Sequence, residues 1–172
     1  MKHQVVGLVG NFSQPSRTYQ LAQAIVERTA SNFDLESELY NLAALGKSFP
    51  AAQSINDLDE QARKIIQDII DAEILVISVP TWNAGYPGMF KHLFDLILPD
   101  ALRSKPMILA ATGGSERHAL MLEYQVRPLF NYFKACPVNT SIFATSHDWN
   151  GHELSSELDM RIGNAVNEIQ LM

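Results

Sequence analysis

Two neighbouring hydroxyls and a guanidinium group near the N-terminus carry the first chemistry that this sequence suggests. Ser16, Arg17 and Thr18 follow an apolar run over residues 5–9 and precede apolar residues that recur at helical spacing. The triplet therefore lies at the start of a predicted helix, where unpaired amides favour anions, and its side chains add further donors. A phosphate would fit there. The pattern leaves an alternative open, in which Ser16 only caps the helix and Arg17 is a solvated charge.

A second candidate stretch follows Ile74–Pro80, an uncharged run rich in β-branched residues. Such a run predicts a strand buried on both faces of a parallel sheet. Beyond Pro80 come Thr81, Trp82 and Asn83, at the carboxyl end of the strand, where open α/β sheets bind their ligands. The aromatic face of Trp82 and the polar groups beside it suit a planar ligand.

A third candidate stretch comprises Thr112, Gly113 and Gly114, directly after a predicted strand over residues 107–111. Two glycines at the end of a strand allow a ligand to approach the backbone closely. Their amides would then be free to bond the polar edge of a ring.

The sequence pattern predicts a strand followed by a helix, repeated five times, and these elements must position the three stretches. Strands are predicted over residues 5–9, 34–42, 74–80, 107–111 and 138–144, and the helices that follow them near residue 16 and over residues 57–70, 87–98, 116–135 and 154–169. Right-handed crossovers then give one α/β domain over residues 1–172, a flavodoxin-like doubly wound five-stranded parallel sheet of order 2-1-3-4-5 with helices on both faces. In that order the three stretches converge on one crevice, with phosphate donors at one end and aromatic, glycine-rich walls at the other. That geometry suits FMN.

Composition excludes several other classes of function. The 172 residues carry a net charge of -6, which argues against nucleic acid as a partner, and no apolar run is long enough to span a bilayer. The single cysteine, Cys136, suits a reducing compartment and is expected to be a small buried hydrophobe. His147 and His152 share one loop with one carboxylate, which is a weak metal site. A cytoplasmic protein without a metal is expected.

One helix predicts a contact with another copy of the chain, and the next predicts an irregular turn. The helix over residues 87–98 is apolar around most of its circumference, so a second subunit is expected to cover it in a homodimer or homotetramer. Lys91 and Asp95 either pair beside that interface or form a weak surface ion pair. Pro128, inside the next helix, predicts a kink or bulge centred on Tyr124.

Three motifs together resemble the NAD(P)H-dependent FMN reductases, and among them most closely those of two-component alkanesulfonate monooxygenase systems. The motifs are Gly10 through Pro15-Ser16-Arg17-Thr18, Pro80-Thr81-Trp82 through Gly85-Tyr86-Pro87-Gly88-Met89-Phe90-Lys91, and Ala111-Thr112-Gly113-Gly114-Ser115-Glu116-Arg117-His118. The resemblance implies a flavodoxin-like fold and the reduction of FMN by NADH or NADPH. It also implies transfer of reduced FMN to a flavin-dependent monooxygenase.

By resemblance, each candidate residue also receives a role. The triplet after Pro15 would hold the phosphate, Pro80 and the three residues after it would line the flavin ring, and the stretch from Thr112 to Gly114 would bond the pyrimidine edge. Asn11 stands where many relatives carry a serine and belongs to the same site. In this branch an aromatic residue or histidine at the position of Tyr124 marks a π-helical insertion at a subunit interface.

No catalytic side chain is expected, because hydride passes directly between the two cofactors. Two alternatives remain open at this point. One is an enzyme that keeps FMN tightly bound and reduces a quinone, an azo dye or a metal oxyanion. The other is a flavodoxin-type electron carrier, against which the cationic phosphate loop and the apolar helix over residues 87–98 both argue.

Overall fold

A parallel β-sheet forms the centre of the fold in the computed structural model, which describes residues 4–171. Its strands are β1 (Gln4–Val9), β2 (Glu36–Asn41), β3 (Ile74–Pro80), β4 (Pro106–Thr112), β5 (Cys136–Pro137) and β6 (Ile142–Ala144). The order is β2-β1-β3-β4, with β5 and β6 both pairing with the outer edge of β4, and every pair is parallel. The flavodoxin-like order 2-1-3-4-5 is therefore confirmed.

Helices cover both faces of this sheet. They are α1 (Arg17–Phe33), α2 (Glu60–Asp71), α3 (Gly88–Asp95), α4 (Arg127–Tyr132) and α5 (Ser156–Asn167). One apolar cluster joins α2, α3 and α4 to the sheet, and a second joins α1 and α5 to the opposite face. Alternate residues of β3 enter the two clusters, and all seven are buried. The prediction of a strand covered on both faces is thus confirmed.

Between β4 and α4 the chain forms a π-helix over Leu122–Val126. Pro128 lies in the first turn of α4 and cannot donate to the carbonyl oxygen of Tyr124. The wider π-turn accommodates the proline ring against that carbonyl, so the predicted bulge at Tyr124 is confirmed. The helix predicted over residues 116–135 was too long, because Glu116–His118 is a separate 3₁₀ turn and α4 ends at Tyr132.

The predicted fifth strand over residues 138–144 is wrong in its extent, since the chain pairs with β4 only as the short strands β5 and β6. Arg127 occupies the gap between them, where its guanidinium donates to the carbonyl oxygens of Pro137 and Asn139 and to Ser141 Oγ. Cys136 lies in the two-residue edge strand β5 and is exposed. The expectation of a buried cysteine is therefore wrong.

Several element boundaries also differ from the predicted ones, because local caps decide them. Asp34 caps the C-terminus of α1 in a left-handed conformation, so β2 begins two residues later. Asp59 Oδ1 accepts from the amide of Ala62 and starts α2 at Glu60. Helix α3 ends at Asp95 rather than Leu98. Leu154, predicted as the start of the last helix, belongs to a hairpin of β7 (Trp149–Asn150) and β8 (Glu153–Leu154).

The apolar helix face that predicted a second subunit is largely covered by the chain itself. Phe90, Leu93 and Phe94 are buried in the cluster beneath α3, and only Leu98, beyond the end of the helix, is strongly exposed. Within residues 4–171 no helix is long and apolar enough to cross a membrane. The same residues contain no group of three or more His, Cys, Asp or Glu side chains placed to hold a metal ion.

Candidate functional site

A cleft of about 340 Å³ lies where the carboxyl ends of β3, β4 and β6 meet the start of α1. It is lined by Arg17, Pro80, Thr81, Trp82, Thr112, Gly113, Gly114, Ala144, Thr145 and Ser146. The parallel register explains the convergence, because Pro80 of β3 lies beside Thr112 of β4, which in turn lies beside Ala144 of β6. All three predicted stretches contribute to this one cleft. Asn11, Ser16, Thr18 and Asn83 are predicted site residues that do not line it.

The N-terminus of α1 combines a cap with free donors. Ser16 Oγ accepts from the amide of Tyr19 at 3.1 Å, and the carbonyl oxygen of Ser16 accepts from the amide of Gln20 at 3.0 Å. The amides of Arg17 and Thr18 have no acceptor among residues 4–171. Ser16 therefore does cap the helix, and its hydroxyl proton and two amides remain to bind an anion.

Asn11 and Thr18 lie buried beneath this helix end, each 3% exposed. Asn11 Nδ2 donates to Ser16 Oγ at 3.3 Å, whereas Asn11 Oδ1 is buried with no partner in the described chain. Thr18 Oγ1 shares a hydrogen bond of 2.7 Å with Thr112 Oγ1, and Ser78 Oγ donates to the Thr18 carbonyl. These side chains join α1 to β3 and β4 and thereby fix the floor of the cleft.

Arg17 is the only charged residue among those that line the cleft, and the β7–β8 hairpin orients it. Its Nη2 donates to the carbonyl oxygen of Gly151 at 2.6 Å, and its Cζ lies 4.6 Å from the centre of the Trp149 ring. A third contact joins its Nη1 to Gln20 Oε1. Arg17 is therefore not a freely solvated charge. Sequence reasoning missed Trp149 and Gly151, since nothing local indicated that the hairpin would reach α1.

Trp82 stands on a tight turn at the edge of the cleft. The amide of Trp82 donates to the carbonyl oxygen of Gly85 at 2.8 Å, and the amide of Gly85 donates back to Trp82 at 3.0 Å. Asn83 and Ala84 have φ of 49° and 69°, the signs of a type I′ turn. Trp82 is 49% exposed, and Asn83 lies exposed at the tip of the turn. The turn thus presents a large aromatic face beside the polar groups of the cleft.

The two glycines of the opposite wall differ in role. The amide of Gly113 already donates to the carbonyl oxygen of Ala144 at 3.0 Å, and a Cβ there would meet Phe143 Cζ at 2.6 Å. Gly114 has open space around it and an amide without an acceptor among residues 4–171. Of the two amides expected to be free, only that of Gly114 is. Thr81 Oγ1, beside Gly113, is buried and has no partner in the same part of the chain.

This arrangement offers anion donors at the helix end, an aromatic face, and unpaired polar atoms between them. A comparison with protein-family models matches residues 3–150 to the model described as "NADPH-dependent FMN reductase". The chain belongs to the NADPH-dependent FMN reductase family. The resemblance noted from the three motifs is therefore confirmed, and the match to the reductase family includes all three cleft stretches.

Known members of the reductase family match most of the chain. It is 40% identical to the NADH-dependent FMN reductase SfnF of Pseudomonas fluorescens, over 89% of this chain and 82% of that protein. It is 35% identical to an FMN reductase (NADPH) of Pseudomonas aeruginosa over the same shares. Among solved structures, an oxidoreductase from Corynebacterium diphtheriae superposes with a TM-score of 0.85 and 31% identity, covering 97% of this chain and 94% of that one.

Proposed function

We propose that this chain is an NAD(P)H-dependent FMN reductase that binds FMN in the cleft at the carboxyl ends of β3 and β4. The observation that carries the proposal is the convergence of three features on that cleft in a member of the reductase family. These features are the amide-rich start of α1, the Trp82 turn and the Gly114 backbone. Thr81 Oγ1 beside them has no partner among the described residues and supports a polar ligand, because a buried oxygen is normally paired.

Each predicted residue takes a place in this proposal. The Ser16 hydroxyl, the amides of Arg17 and Thr18 and the Arg17 guanidinium bind the phosphate. The ring lies between two walls formed by Pro80, Thr81, Trp82, Asn83, Thr112, Gly113 and Gly114. Gly113 provides room and Gly114 provides the free amide for the pyrimidine edge. Asn11 acts from beneath, since its amide group orients Ser16 Oγ.

Bound FMN would supply a two-electron acceptor for hydride from a nicotinamide stacked on its ring. The chain's own residues bind and orient the two cofactors and exclude water from them. No side chain that lines the cleft has the chemistry of a general acid or base near neutral pH, since the only charged one is the guanidinium of Arg17. The contribution of the protein is therefore position and charge.

A homo-oligomer and a flavin-dependent monooxygenase partner belong to the same proposal. Tyr124 and Tyr132, at 76% and 65% exposure, flank a groove of about 590 Å³ that also includes the exposed Lys91–Asp95 ion pair. Large aromatic side chains are enriched where subunits meet. This groove, rather than the buried face of α3, is the proposed contact between copies.

A cytoplasmic location accords with an exposed free cysteine.

The Tyr124 groove makes a testable prediction about assembly. We expect Tyr124→Asp to shift the protein to a smaller assembly, because a carboxylate would lose its water at the contact. Sedimentation velocity measures this directly, with Tyr19→Asp on the half-buried face of α1 as the control. Wild-type protein that is monomeric at micromolar concentration would contradict the proposal.

The function itself is tested by following NADH and NADPH oxidation by purified protein stripped of flavin. We expect oxidation that requires free FMN, saturates with it and ranks the two nucleotides. Gel filtration of the reaction mixture without oxygen then shows whether reduced FMN is released. FMN that stays bound while a quinone or azo dye is turned over would favour instead an enzyme that keeps FMN and reduces such an acceptor. No NADH or NADPH oxidation with FMN present would contradict both enzymatic functions and favour an electron carrier.

A further inference from the structure

The turn that carries Trp82 contains a strained residue. A type I′ turn needs positive φ at both central positions and is normally built from asparagine, aspartate and glycine. Here the second central residue is Ala84, with φ of 69°, a conformation in which Cβ crowds the following carbonyl oxygen. Two backbone hydrogen bonds close the turn, and a contact from outside it would help to hold Ala84 in this conformation.

Gln125 of the π-helix supplies that restraint. Its Nε2 donates to the carbonyl oxygen of Ala84 at 3.0 Å. Its Oε1 lies so close to the next residue that a Cβ on Gly85 would meet it at 2.6 Å. Among residues 4–171 this is the only side-chain hydrogen bond to the four residues of the turn. The amide group of Gln125, a residue that also lines the Tyr124 groove, therefore packs against the turn.

The π-helix explains why Gln125 is available for this contact. One extra residue in a helical turn rotates the preceding side chains by about 100° relative to a regular α-helix. Pro128 favours that wider turn, as described above, and Leu122 and Val126 anchor it in the core. The bulge thus links a helix at the Tyr124 groove to a loop of the cleft.

We infer that Gln125 is a positioning residue that holds the Trp82–Gly85 turn against β3, so that Trp82 lies at the edge of the cleft and FMN affinity depends on it. The inference rests on the proposed function only in naming FMN as the ligand of the cleft. Gln125 itself lies outside the lining of the cleft and contacts no reacting group.

The test compares three variants in the FMN-dependent oxidation assay. Loss of one hydrogen bond that holds the turn is expected to raise KM for FMN about fivefold in Gln125→Ala, with kcat little changed. Gln61→Ala is the matched control, because Gln61 Nε2 also donates to a backbone carbonyl oxygen, that of Ala44, at 2.9 Å but far from the cleft. It is expected to leave KM unchanged.

The third variant separates positioning from general stability. Glycine adopts positive φ without strain, so Gln125→Ala combined with Ala84→Gly is expected to recover most of the wild-type KM. A purely structural role for Gln125 would not be rescued by a change in the turn. An unaltered KM in Gln125→Ala, or no rescue by Ala84→Gly, would overturn the inference.

A measurement made without FMN tests the positioning role of Gln125 separately from the proposed function. In a Trp149→Phe background, Trp82 is the only tryptophan, and acrylamide quenching reports its exposure. Greater quenching in Gln125→Ala, reversed by Ala84→Gly, is expected even if no oxidation is found. If the variants differ in quenching in this way and the wild-type protein shows no FMN-dependent oxidation, the proposed function is removed and the positioning role remains. Equal quenching in all variants would remove the positioning role.

Discussion

Two buried oxygen atoms near the cleft lack partners in the described chain, and they show most directly what single residues contribute. Thr81 Oγ1 lines the cleft, and Asn11 Oδ1 lies beneath the start of α1. A buried polar atom without a hydrogen bond lowers stability, so such atoms are uncommon unless a ligand or water pairs with them. Their positions, one lining the cleft and one beneath the start of α1, support the binding of a polar ligand here.

Thr81→Val is predicted to separate binding from folding. The Thr81 hydroxyl makes no hydrogen bond within residues 4–171, so its loss should leave the free energy of unfolding equal or higher. KM for FMN should rise about fivefold through loss of one hydrogen bond to the ligand. Kinetics and urea unfolding measure the two effects.

Thr29→Val provides the matched control for that prediction. Thr29 Oγ1 is fully buried and donates to the carbonyl oxygen of Ile25 at 2.7 Å. Its replacement should lower the unfolding free energy by about 1 kcal/mol and leave KM for FMN unchanged. Thr81→Val with reduced stability and unchanged KM would contradict the account of this residue.

Arg17→Ala is predicted to raise KM for FMN roughly tenfold or more, because a charge-assisted hydrogen bond to phosphate is lost. Arg17→Lys should fall between, since it keeps the charge but not the stacking on Trp149. Arg103→Ala removes another exposed guanidinium, one that pairs with Asp100, and serves as the control. An FMN titration with the same affinity for all four proteins would place Arg17 outside the site.

Residue types at strand ends were the part of the site that could be predicted from sequence. Trp82 and Gly114 were found because each lies shortly after the end of a strand that the apolar pattern identifies. The hydrogen bond from Arg17 to Gly151 spans 134 positions, and no local pattern predicts it. The engaged amide of Gly113 was missed for the same reason, since its acceptor lies on β6.

Among the elements, the interrupted fifth strand and the π-helix depend on one another. Arg127, half-buried at the end of the π-helix, pairs with Glu123 one turn earlier and also reaches three groups between β5 and β6. The gap in the strand thus has its carbonyl oxygens satisfied by a helix side chain instead of by β4. This arrangement fixes the π-helix against the edge of the sheet.

Arg127→Met is accordingly predicted to destabilise this edge. Charged hydrogen bonds are lost while the carbonyl oxygen of Pro137 stays partly buried, so the unfolding free energy should fall by about 2 kcal/mol. Amide exchange should accelerate over residues 138–144 before the rest of the sheet. Arg103→Met is the control, and uniform exchange rates in Arg127→Met would contradict the proposed link.

Element boundaries were predictable where packing alone decides them. The bounds of β3 were predicted without error, because a run buried on both faces has the same apolar signal from end to end. The bulge at Tyr124 was predictable from the chemistry of Pro128. The split between β5 and β6 was not, because residues 138–144 contain no proline, glycine or charge that would mark a break, and the interruption depends on distant Arg127.

For the whole molecule, the order of the sheet brings the site together, and that order followed from the repeated strand and helix pattern. Strands β1, β3 and β4 must be neighbours in it, so their carboxyl ends meet whatever the details of the loops. The exposed groove at Tyr124 and the exposure of Cys136 did not follow from the repeated strand and helix pattern. Both depend on which surface remains after the helices have packed, which a pattern along the chain does not determine.

Stability of the whole fold is predicted to fall in acid. Hydrogen bonds from backbone amides lower the pKa of Asp57 and Asp59, and those from the hydroxyl and amide of Thr140 lower the pKa of Glu168. A carboxyl group with a lowered folded-state pKa stabilises the fold above its unfolded pKa, and this contribution is lost as pH falls through the folded value. The urea midpoint should thus be flat between about pH 5 and about pH 9 and decline below about pH 4.

Salt provides the control for the acid prediction. The leading causes of these shifts are hydrogen bonds rather than distant charges, so the decline should persist in 1 M sodium chloride, where long-range interactions are screened. A midpoint that stays constant to pH 3, or a decline abolished by salt, would contradict this explanation.

The central claim is that FMN binds at the carboxyl ends of the central strands, and amide chemical shifts recorded during an FMN titration test it most directly. The account predicts the largest shifts at the amides of Arg17, Thr18 and Gly114 and at the Trp82 indole. Shifts confined instead to the groove around Tyr124 and Tyr132 would contradict it.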